Sequence, residues 1–156
     1  MASLALAARI VVAVALIVAG VQKLRVGRSL RPQVAAFGVP AGIAPVVAVT
    51  LPVVEFVTGL SLLVFVRSSL PAWVALGLLA LFTGAVAANL ASGRRVPCPC
   101  FGTSMSDVSP GSLVRNSWLV ALAVVGTGSI TGATATSVII WTVLLGLATL
   151  VALRLS

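Results

Sequence analysis

The chain has 156 residues, 60% of them hydrophobic and only 8% charged. With a mean hydropathy of +1.25, it carries too little charge to clothe a water-soluble domain, so a single membrane-embedded domain over residues 1–156 is expected. The net charge of +8 comes from ten Lys or Arg against Glu55 and Asp107. These basic residues sit mostly in short loops between apolar runs, which points to anionic lipid headgroups as the partner and away from nucleic acid.

A helix needs about 20 residues to cross ~30 Å of hydrocarbon, and five runs are candidates. The expected fold is all-α: a polytopic transmembrane helical bundle of four to five spans, five being the preferred count. The first run, Leu4–Val21, reads as an uncleaved span. Arg9 is its only basic residue, and Gly20-Val21-Gln22 makes a poor cleavage site. A polar string follows (Gln22, Lys23, Arg25, Arg28, Arg31), then a loop with a turn at Phe37-Gly38-Val39-Pro40. The second run, Ile43–Val66, contains Pro45 and Pro52 and is expected to bend. Arg67-Ser68-Ser69 is a tight connection, and Pro71 suits the first turn of the third run, Ala72–Leu90. The fourth, Leu113–Val125, and the fifth, Ser137–Leu153, are the shortest, so a tilted or partly interfacial helix is an option for one of them. Small residues are frequent throughout, as close packing in lipid requires.

Five spans place the amino terminus on one side, A, and the first loop, the polar cysteine stretch at residues 93–116 and the carboxyl terminus on the other, B. Side B holds Lys23, Arg25, Arg28, Arg31, Arg94, Arg95, Arg115 and Arg154; side A holds Arg67 and an outward-reaching Arg9. The positive-inside rule makes B cytoplasmic. Within the spans, Glu55 lies mid-run and Arg9 one to two turns from side A. Either Arg9 snorkels or pairs with Glu55 to lock two helices, or these groups line a proton route or a bound quinone. Gln22, Asn89 and Asn116 sit at the B ends of three runs, facing headgroups or converging beside the loop.

That loop contains Cys98-Pro99-Cys100. A disulfide across one residue closes a very small ring, strained and readily exchanged. Arg94, Arg95 and Arg115 favour the reactive thiolate, and Gly102 permits a tight backbone turn behind the second sulfur. Other readings compete. A metal site needs about four ligands, yet the chain has no histidine and only Asp107 lies nearby. Juxtamembrane lipidation and an inert pair remain, although a staple this short stabilises little.

The CPCFG core at residues 98–102, the Arg115-Asn116 pair and the short polar stretch between them resemble the MauE family of methylamine utilisation, which is similar to the DoxX group. A DoxX-like half is carried by Arg9, the run from Ala19 to Leu24, Phe37-Gly38-Val39-Pro40 and Glu55. The resemblance covers nearly the whole chain. It implies a multi-pass redox protein of the bacterial plasma membrane, supporting disulfide formation or electron delivery for extracytoplasmic enzymes such as methylamine dehydrogenase. Carried over by position, Cys98 and Cys100 are the redox pair, with Arg115, Asn116 and Glu55 in support. Pro99 is a departure, since such loops often have Gly there.

Two function classes follow. One is a thiol–disulfide oxidoreductase, which with a single cysteine pair requires a thioredoxin-like protein, a client enzyme or a quinone to exchange electrons with. The other is a non-catalytic scaffold subunit of an oxidoreductase complex, with a DoxX-like quinone-reducing subunit as a further variant. Charge puts the loop in the cytoplasm, where stable disulfides are rare, while the implied role is easier with the loop outside; both sides stay open.

Overall fold

The computed structural model describes residues 1–93 and 109–155, with side chains described through residue 152. Among these residues the elements are α1 (Ala2–Val26), a 3-10 turn (Gly27–Ser29), α2 (Leu30–Ala36), α3 (Ala44–Val64), α4 (Leu70–Ala91), α5 (Pro110–Gly126) and α6 (Ala135–Leu155). The protein is all-α with no strand among the described residues. Four stretches are long and apolar enough to cross a membrane: 2–36, α3, α4 and 135–152. The 17-residue α5 extends about 26 Å, slightly under a full hydrocarbon thickness.

Helix α1 is the hub, packing against α3, α5 and α6, while α4 packs on α5. Its buried face is built largely from small side chains, Ala5, Ala7, Ala8, Ala13, Ala19 and Gly20, which allow neighbouring backbones to approach. Where four helices meet, Val12 and Leu16 of α1 pack with Leu62 of α3, Leu79 of α4 and Leu119 and Leu122 of α5. Outward faces stay apolar, as on α6, where Ile139, Val143, Leu147 and Leu150 are all exposed. In a membrane protein, lipid covers such faces.

The α1–α3 contact is antiparallel and closes through two glycines. A Cβ at Gly20 would stand 2.8 Å from the Pro52 carbonyl oxygen, and one at Gly59 would stand 2.8 Å from the Ala13 carbonyl oxygen. Replacing Gly59 by Ala adds up to about 1 kcal/mol of helix propensity, yet it drives a methyl into a neighbouring backbone that can only shift. The net expected result is a loss of about 1–3 kcal/mol, read as a lower melting temperature in detergent micelles. Gly146→Ala on α6, where a Cβ meets nothing within 4 Å, should be neutral or mildly stabilising. Equal melting of the two variants would dismiss the close-contact account.

Three expectations change in detail. The first span runs on to Val26, so the polar string from Gln22 to Arg25 continues the helix. The segment after it folds into α2, whose Leu30 and Val34, one turn apart, pack on Ala44 and Ala48 of α3. Pro45 occupies the first turn of α3, where a missing N–H costs nothing, leaving Pro52 as the proline inside that helix. The turn after α2 is present, with Gly38 at φ 94°, a conformation that favours glycine. Pro71 opens α4 as expected.

Candidate functional site

Among the described residues Arg9, Arg115 and the Lys23–Glu55 pair are buried charges at different places in the bundle. Near side A, Arg9 is 3% exposed and reaches backbone oxygens of two separate connections. Its Nε donates to the Gly126 carbonyl at 2.6 Å. Nη1 donates to the carbonyls of Val66 and of Ser68, the latter at 3.1 Å, and Nη2 to Gly128 at 3.3 Å. These acceptors follow or end α3 and α5, where the last carbonyls of a helix lack intrahelical donors and carry partial negative charge. The guanidinium fork supplies those donors. Gly126 gives it room, since a Cβ there would come within 3.3 Å of Arg9 Cγ. The α3–α4 and α5–α6 connections therefore lie at the same end as Arg9, in keeping with five alternating helices.

Deeper in, Lys23 of α1 donates to Oε1 of Glu55 on α3, both side chains being buried. Glu55 sits about 16 Å along α3 from Ala44, and Phe82 about 14 Å along α4 from Ala91, so the pair lies well inside the bilayer. Lys23 Nζ also stands 4.6 Å from the centroid of the Phe82 ring, a cation–π distance. Oε2 of Glu55 is buried with no hydrogen-bond partner among the described residues.

Of the arrangements expected for Arg9, the pair with Glu55 does not form; the guanidinium instead extends toward the side A end, where backbone carbonyls accept from it. The antiparallel register sets Arg9 against Val66, two residues past the end of α3, which runs about 14 Å beyond Glu55. Lys23 is the partner that sequence reasoning left in the polar string. Its signal was its spacing: it follows Arg9 by close to four helical turns, so both fall on the buried face of α1.

At the B end, Asn89 and Asn116 are buried, as is Arg115, so the two asparagines do not face headgroups, whereas Gln22 is half-buried. Asn89 Nδ2 donates to the Ala85 carbonyl of its own helix at 2.8 Å. Nearby, Val86 and Leu90 of α4 pack with Phe37 and with Leu113 of α5. Helix α5 is opened by Ser109, whose Oγ accepts from the Ser112 amide at 3.3 Å in a reciprocal capping box. The connection carrying the cysteines thus leaves α4 and enters α5 at the end where these polar side chains are buried. Cys98, Cys100, Arg94 and Arg95 themselves lie outside the described residues.

Residues 1–129 match the family model described as methylamine utilisation protein MauE, and the chain belongs to that family of membrane proteins. Helix α6 follows the matched region. No curated protein and no solved structure matches the chain.

Proposed function

We propose that the protein is a membrane thiol–disulfide redox protein of methylamine utilisation, using Cys98 and Cys100 to exchange an electron pair with the thiols of a client enzyme. The observation that supports this reading is positional. Both cysteines belong to the connection between α4 and α5, which starts and ends over the buried polar side chains Asn89, Arg115 and Asn116. In the exchange, a client thiolate attacks one sulfur of the Cys98–Cys100 disulfide and forms a mixed disulfide. A second client thiolate then displaces that sulfur. The client leaves oxidised, and the pair leaves as two thiols.

Removing one cysteine leaves no disulfide for a client thiolate to attack. The remaining thiolate can still attack the disulfide of an oxidised client in the reverse exchange, and the neighbouring sulfur that would resolve that adduct is gone. Cys98→Ala or Cys100→Ala should accumulate a mixed-disulfide adduct, visible as a heavier band on non-reducing gels and lost on reduction. Absence of any adduct from both variants, together with normal client maturation by the Cys98→Ser/Cys100→Ser protein, would defeat the reading. A scaffold role would then account for the protein.

A further inference from the structure

A single cysteine pair cannot keep turning over without a second redox partner, and the described residues contain an unassigned polar centre inside the hydrocarbon. Lys23 and Glu55 present two unlike hydrogen-bonding capacities there. Oε2 of Glu55 is a buried acceptor with nothing donating to it among the described residues. An ammonium has three N–H groups. That of Lys23 gives one to Oε1 of Glu55 and stands over the Phe82 ring. A buried carboxylate oxygen left without a donor is costly, so a donor belongs at that position.

The neighbourhood restricts what the donor is. From α1, Lys23 faces Glu55; Arg9 is engaged at the far end, and Arg25 is exposed. Arg28 on the 3-10 turn and Arg31 on α2 are exposed as well, and α4 has no charged residue in its sequence. Beside Lys23, a second cation is disfavoured by like-charge repulsion. A neutral hydroxyl is not. Phe82 supplies an aromatic face and is partly exposed at the bundle surface, and α3 packs only lightly on α4. A flat, lipid-soluble molecule can therefore approach the pair from the bilayer alongside that ring.

The geometry points to Lys23, Glu55 and Phe82 as a binding site for a membrane quinone and its quinol. The quinol hydroxyl donates to Oε2 of Glu55, the quinone oxygen accepts from Lys23, and the ring stacks on Phe82. One pair of groups thus serves both oxidation states. Binding rests on these three side chains alone; the electron transfer rests also on the thiol exchange proposed above. In that transfer two S–H bonds break and one S–S bond forms. Two electrons and two protons pass to the quinone oxygens, giving a quinol.

The test uses the full chain in nanodiscs, with decyl-ubiquinol and decyl-ubiquinone as probes and equilibrium binding as the readout. The wild-type protein should bind both saturably. The Lys23→Met/Glu55→Leu protein, which replaces the pair by apolar groups, should bind about tenfold or more weakly. Phe82→Ala should weaken both probes, and Glu55→Gln the quinol more than the quinone. Circular dichroism and melting establish that each variant is folded. Unchanged affinity in a folded Lys23→Met/Glu55→Leu protein overturns the assignment, as does absence of saturable wild-type binding. The Cys98→Ser/Cys100→Ser protein separates the two proposals. It should bind both probes normally, whereas failure of mixed-disulfide trapping with binding intact would remove the thiol exchange and leave the site.

Discussion

Replacing Lys23 by Met alone, or Glu55 by Leu alone, should lower stability by about 3–5 kcal/mol, whereas the double replacement should restore most of that loss. Each single change strands a polar or charged group in the bundle with no partner, and stranding is the expensive event. The intact pair contributes less than its geometry suggests, because removing two ions from water offsets most of their attraction. In the double variant neither ion remains to be desolvated, and Met and Leu fill similar volume. Thermal or denaturant unfolding of all four proteins in the same detergent forms a double-mutant cycle. Additive losses in that cycle would mean the two side chains do not act as a pair.

Arg9→Leu should cost about 3 kcal/mol, a discount on the simple sum of its bonds, since polar groups of a membrane-embedded unfolded chain find other partners. Four carbonyls from two connections would lose their donor at once. Arg9→Lys should recover only part of the loss, because an ammonium is a point charge that cannot span acceptors spread over both connections. Proteolysis offers a second measurement: cleavage in the 65–69 and 127–134 connections should speed up together. Faster cleavage in one connection alone would refute a shared tether.

The helices were legible because apolar runs of this length have few alternatives in lipid, and the five runs read from the sequence correspond to α1, α3, α4, α5 and α6. The prolines were legible for a similar reason: Pro71 lacks the N–H that a first turn does not use. What misled was treating charge as a boundary. Gln22, Lys23 and Arg25 read as the polar edge of a span, yet the helix continues through them and turns Lys23 inward. Helix α2 was hidden by its seven-residue length, since only Leu30 and Val34 mark its packed face. Partner choice was the least legible feature. The two buried cations of α1, Arg9 and Lys23, were visible, but which of them met Glu55 depended on the antiparallel register, along which α1 and α3 close at Gly20 and Gly59.

The Arg9 contacts carry a consequence for biogenesis. Two of the acceptors lie 117 and 119 positions downstream of Arg9. A ribosome adding about 5–20 residues per second needs on the order of 6 to 24 s to make them. Until then only the Val66 and Ser68 carbonyls, 57 and 59 positions downstream, are available to the guanidinium. The opening helix therefore acquires its full set of anchoring contacts only after α5 has been synthesised.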